Sequence, residues 1–91
     1  FGWFDVGSWP ALEDHFARDD AANVLVGNCQ VLDGSGNIVV SDDHLTALIG
    51  VENLVVVQAE NVTLVCAKDR AQDVKAMVQK LNETGGYESV L

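Results

Sequence analysis

A chain of 91 residues has room for one small domain, and 48% hydrophobic with 21% charged residues is a globular balance rather than a disordered one. Five basic against fourteen acidic residues give a formal net charge of −9, which argues against a nucleic-acid surface or a basic membrane anchor, since both need clustered Lys and Arg. No uncharged apolar run reaches the roughly 18 residues that a membrane span requires.

The chain opens on a dense aromatic cluster: Phe1, Trp3, Phe4 and Trp9. Free termini fray, so such a cluster is expected to pack against further chain, in this case an absent domain. A piece of a longer protein is the expectation; a tagged or processed native domain is the alternative. FGWFDVGSW reads as a short strand or turn followed by a helix entry. Ser8 is placed as N-cap, and Pro10 falls in the first turn, where its missing donor costs little. Trp9, Leu12 and Phe16 then form one apolar stripe on a helix of about ten residues, expected to stop near Arg18 before Asp19-Asp20 oppose its dipole.

From Asn23 to Cys66 the texture is β only. VLVG, CQVLDG, NIVVS, LTALIG, NLVVV and VTLVC alternate with Gly, Asn, Asp and Ser. The expected strand starts, near residues 24, 29, 38, 46, 54 and 62, are separated by 5, 9, 8, 8 and 8. Asn stands immediately before an apolar strand residue at Asn23, Asn37, Asn53 and Asn61, and before Cys29 at Asn28, which suits left-handed corner positions. Short strands with tight, nearly regular corners predict a parallel β-helix, each strand stacking on the one a full coil earlier. A small sandwich or meander is the competing architecture.

The last element is a helix. Asp69 and Gln72 stand at capping-box spacing, and Ala71, Val74, Val78 and Leu81 mark one face that ends before Gly85-Gly86. Val74, Met77, Val78 and Leu81 are expected to cover the open end of the β stack. The tail YESVL has no evident partner. Residues 1–22 are thus read as the tail end of a preceding domain plus a linking helix, 23–67 as the β region, 68–84 as the capping helix and 85–91 as a tail.

Asp5 is the residue with a chemical reading. A carboxylate among aromatics before a helix N-terminus is either a turn-former or a hard-cation ligand beside a phosphate site, since Mg²⁺ takes one or two protein carboxylates and completes its shell with water and phosphate. Other candidates are weaker. His15, His44, Cys29 and Cys66 lack zinc-ligand spacing. Cys29 and Cys66, 37 positions apart, fit reduced, buried thiols of a cytoplasmic protein. Lys68 and Arg70 read as a solvated helix start or, less simply, as phosphate contacts, and Asp42-Asp43 as a solvated turn. Gly34-Ser35-Gly36 precedes a strand rather than a helix, so it is a corner and not a phosphate cradle.

FGWFDVGSW, Gly27-Asn28, IGVENLVVV from Ile49 and LVCAKDRAQDVKAMV from Leu64 together resemble the sugar-1-phosphate nucleotidyltransferases, specifically the mannose-1-phosphate guanylyltransferases. The resemblance covers nearly the whole chain apart from residues around 17–22 and the last few. It implies the C-terminal part of such an enzyme: mainly β with flanking helices, a short left-handed parallel β-helix following the aspartate motif. It also implies that Asp5 binds Mg²⁺ bridging GTP and mannose-1-phosphate, giving GDP-mannose and pyrophosphate. The nucleotide loop, base and sugar contacts and a second metal-binding aspartate would lie in an absent N-terminal nucleotidyltransferase domain, so the 91 residues alone are expected to be inactive and to serve assembly of a homo-oligomer. A sister nucleotidyltransferase, or a β-helical binding module without catalysis, remains the alternative.

Overall fold

Six strands begin at Val24, Cys29, Ile38, Thr46, Leu54 and Val62 in the computed structural model, which describes residues 2–91. These are the positions that the spacing of apolar runs predicts. They are β1 (Val24–Val26), β2 (Cys29–Leu32), β3 (Ile38–Ser41), β4 (Thr46–Ile49), β5 (Leu54–Ala59) and β6 (Val62–Ala67). Two short helical turns, α1 (Trp3–Val6) and α2 (Trp9–Leu12), precede them, and α3 (Val74–Thr84) follows.

The first five strands wind as parallel coils. β1 pairs with β3 and β3 with β5, while β2 pairs with β4, all in parallel. An isolated parallel bridge between Ser35 and Glu52 marks a further point where successive coils meet. Val24 faces Ile38 and Ile38 faces Val55, so one coil advances 14 residues and the next 17. The surplus lies between β3 and β4, because Cys29 to Thr46 also spans 17. Asp42, Asp43 and His44 are pushed out there as a solvated corner. The Asp42 carboxylate accepts the His44 backbone N–H at 2.9 Å, which is the main reason its pKa is lowered. In the shorter coil the same corner is made by Gly27 at φ +85°, where any Cβ would run into the Ser41 carbonyl.

A column of side-chain amides holds the coils in register. Asn23 and Asn37, 2% and 0% exposed, occupy equivalent positions one coil apart. Asn23 Oδ1 accepts from the Asn37 backbone N–H at 2.9 Å and from Asn37 Nδ2 at 3.1 Å. Asn37 Nδ2 also donates to the Val51 carbonyl at 3.0 Å, and its Oδ1 accepts the Leu54 N–H at 2.9 Å. At the start of the column, Asp19 accepts from the Asn23 backbone and side chain at 2.9 to 3.2 Å. Corner geometry explains only part of the asparagine pattern: Asn53 and Asn61 have positive φ, whereas Asn23 and Asn37 do not.

Two apolar clusters lie on opposite faces of the β1-β3-β5-β6 sheet. Cys29, Val39, Leu48 and Val56 fill the coil interior. Val24, Ile38, Val55, Val57 and Leu64 face outward and pack beneath Trp3, Val6, Ala71 and Val74. The unbroken run Val55-Val56-Val57 follows from this, since neither face of that strand meets water.

The last strand departs from the coil. β6 runs antiparallel to β5 through the two-residue connection Glu60-Asn61, both with positive φ, as a primed hairpin turn requires. It therefore closes the free edge of β5, the role expected of the final helix. α3 instead lies against the outer face of the sheet beside α1, with Val74 buried and Met77 exposed. The apolar face of Ala71, Val74, Val78 and Leu81 is as predicted, but its target is different. No Asp69 capping box forms: Lys68–Asp73 is a 3₁₀ segment and α3 starts at Val74 without a side-chain cap.

Replacing Asn37 by Ala strands the Leu54 N–H and takes one donor from the Asn23 carboxamide, while the Val51 carbonyl keeps the Ser35 N–H, so a loss of about 2 kcal/mol is expected in urea unfolding. Asn28→Ala, which removes one exposed bond to the Asp43 carbonyl, is expected to cost less than about 1 kcal/mol. A second expectation concerns acid. The Asn23 backbone N–H, and then its side chain, hold the Asp19 carboxyl below its ordinary value of 3.8. Its stabilisation is therefore complete above that value and is lost as pH falls through the depressed one. Melting profiles of wild type and Asp19→Asn should differ at pH 7 and converge in strong acid.

Candidate metal-ligand site

Trp3 and Val6, three residues apart, are 7% and 0% exposed, so the turn α1 is nailed to the core by both ends of one face. Of the short strand or turn expected for FGWFDV, a single helical turn forms. Asp5 lies between the two anchors and is exposed, as is Phe4 at 67%. The backbone N–H of Asp5 donates to the Gly2 carbonyl at 3.1 Å, and its own carbonyl accepts both the N–H and the hydroxyl of Ser8, at 3.0 and 2.7 Å. Ser8 therefore closes α1 rather than capping α2. None of the ion pairs found among the described residues involves the Asp5 carboxylate.

The helix expected to reach Arg18 is much shorter. α2 ends at Leu12, a 3₁₀ turn carries Glu13–His15, and Phe16 is extended. Glu13 leaves the wet side to meet Lys68: Nζ donates to Oε2 at 2.8 Å, with the two side chains 17% and 22% exposed on the Lys and Glu sides. Lys68 is thus half-buried in an ion pair rather than part of a solvated helix start. Arg70 pairs with Asp73, whose hydrogen bond raises the guanidinium pKa further.

The aromatic cluster divides. Trp3 packs within this chain, Trp9 is half-buried against the same core, Phe4 is open, and Phe1 lies outside the described residues. The indole Nε1 of Trp3 donates to the Val90 carbonyl at 2.7 Å, which gives the YESVL tail a partner. The tail forms a 3₁₀ turn over Glu88–Val90. Sequence reading misses this contact because nothing local marks a pairing across 87 residues.

As a metal ligand Asp5 fits in part. It offers one hard oxygen donor on an open face, and among the described residues no group of three His, Cys, Asp or Glu side chains could hold an ion. One carboxylate supplies a single position in a shell that phosphates and other donors would complete. Cys29 and Cys66 are both free, and burial pushes both thiols up, so neither is an activated nucleophile. His44 stands 80% exposed on its corner. No helix among the described residues is long and apolar enough to cross a membrane.

Comparison with known proteins matches residues 27–81 to the MannoseP isomerase/GMP-like beta-helix domain. The chain belongs to that family. A mannose-1-phosphate guanylyltransferase of Klebsiella pneumoniae is 43% identical over 81 residues, covering 89% of this chain and 17% of that protein. The alginate biosynthesis protein AlgA of Pseudomonas aeruginosa is 39% identical over 88 residues, covering 97% and 18%. A crystal structure from Thermus thermophilus, described as a mannose-1-phosphate geranyltransferase, superposes with a TM-score of 0.73 at 40% identity, over 86% of this chain and 24% of that one. The chain thus spans under a fifth of the length of these two curated relatives.

The Glu13–Lys68 pair ties the N-terminal turns to the 3₁₀ segment that follows β6. A double-mutant cycle on Glu13→Gln and Lys68→Met is expected to give a coupling of about 1–2 kcal/mol that survives added salt. The exposed Asp14–Arg18 pair, with side chains 80% and 40% open, should give less than about 0.5 kcal/mol.

Proposed function

We propose that this chain is the C-terminal part of an enzyme transferring GMP from GTP to mannose-1-phosphate, with GDP-mannose and pyrophosphate as products. The carrying observation is the placement of Asp5. Its two flanking anchors are buried, yet its carboxylate stands on the open side with no cation against it among the described residues. The names of the relatives that match nearly the whole chain support the same reaction.

In this reading an oxygen of mannose-1-phosphate attacks the α-phosphorus of GTP and pyrophosphate leaves. Mg²⁺, when bound, neutralises charge on the phosphates of both substrates. The chain's own contribution is to hold one carboxylate oxygen at a fixed place on α1, facing a preceding nucleotidyltransferase domain. Phe4, Leu12 and Phe16, all exposed on the N-terminal turns, are the apolar contacts assigned to that domain. The coils are assigned the left hand, and their role is assembly of a homo-oligomer. Leu32 and Ile49, cross-strand neighbours on the outer face of β2 and β4, are 59% and 72% exposed and provide an apolar patch for it.

The test uses the intact protein that contains this chain, with mannose-1-phosphate, Mg²⁺ and each nucleoside triphosphate in turn. Pyrophosphate release should be selective for GTP and fall by at least about 100-fold in Asp5→Asn. Release with another nucleotide would keep the mechanism and change the substrate; no release from a folded wild type would leave an assembly module. The 91 residues alone should release none.

A further inference from the structure

A single four-residue helical turn has no stability of its own, because nucleation is not repaid by one hydrogen bond. α1 is such a turn, and glycines flank it at Gly2 and Gly7. Its place must therefore come from tertiary contacts, from the outer face of the sheet and from the C-terminal part of the chain. Val6 and Trp3 pack on Ala71 and Val74 in one cluster, and the Trp3 indole is tied to the Val90 carbonyl at 2.7 Å. At Gly7 a Cβ would stand only 3.5 Å from the Ala71 carbonyl oxygen, so the end of the turn lies close against the backbone that leads into α3.

We infer that the Trp3 indole and the Val90 carbonyl form a latch that positions the Asp5 carboxylate for metal binding. The inference rests on the reading of Asp5 as a metal ligand. Trp3 is buried and two residues from Asp5 on the same turn, so it acts on the carboxylate through the backbone. A displaced indole would rotate or unwind the turn and move Asp5 with it, since Val6 alone fixes one point and not an orientation. The residues around Val90 thereby set the metal site from a position remote in sequence. Groups that orient a metal ligand without touching the ion commonly change affinity by about 10–100-fold when removed.

The test compares Trp3→Phe, which keeps an aromatic ring but lacks the N–H, with Val90→Gly, which loosens the tail, in the intact protein. Mn²⁺ serves as the probe, with free Mn²⁺ followed by electron paramagnetic resonance in the presence of GTP. Both variants should bind Mn²⁺ about tenfold more weakly. In turnover assays the half-saturating Mg²⁺ concentration should rise by a similar factor, with a smaller change in the rate at saturation. Asp5→Asn is run alongside. If Asp5→Asn weakens Mn²⁺ binding and both latch variants, still folded by melting, bind as wild type does, the latch is overturned. If Asp5→Asn also binds as wild type, the metal reading of Asp5 fails first, and the latch with it. Should the variants not fold, hydrogen exchange of the wild-type Trp3 indole N–H decides. Strong protection is expected, and exchange at the rate of an exposed indole would overturn the latch.

Discussion

The Asn37 carboxamide is the interaction on which the remaining structure depends. Its nitrogen and oxygen are both engaged, it is fully buried, and it links coil one, coil two and the first residue of β5. Each of these bonds replaces one to water, so the net gain is modest while the cost of a mismatch is large. A slip of one residue between coils would place an apolar side chain against these polar groups and turn every inward residue outward. The amide column thus specifies register more than it adds stability. That specification is needed because the coils differ by three residues and strand pairing alone would tolerate neighbouring alignments.

With register fixed, the sheet of β1, β3, β5 and β6 presents an apolar outer face that must be covered. The N-terminal turns and α3 both lie on it, and each also contacts the other. The acidic Glu13 is drawn over to Lys68 by the same closure. The location of Asp5 is therefore set in steps: amide column, sheet, outer cluster, α1.

Much of the β region is legible in sequence because each strand is an apolar run behind a turn residue. The hairpin is harder to read. Asn61-Val62 looks like Asn23-Val24 and Asn37-Ile38, yet it turns the chain back on β5 instead of starting a coil. The distinction is one of length: a six-residue β5 followed by two residues leaves no chain for a second side. The amide column is hidden because asparagine is equally at home in a corner, and only pairing of Asn23 with Asn37 across coils reveals it. Helix extent escapes sequence reading where long-range partners decide, as with Glu13 leaving its helix face and Trp3 turning inward. Asp5 stands out through its aromatic company, but its chemistry comes from resemblance, and the fold adds only its exposed place between two buried anchors.

The contact between Trp3 and Val90 also bears on how the chain is made. Within this segment, Trp3 and the coils leave the ribosome before the residues whose packing covers them. The coils can begin to stack as soon as β3 is available, but their outer face stays bare until α3 and the residues around Val90 have been synthesised. During that interval the nascent chain carries exposed Val24, Ile38 and Trp3, the surface most prone to non-native pairing. Fast closure once residues 74–90 have emerged, or shielding by a chaperone, would then limit the exposure of that surface.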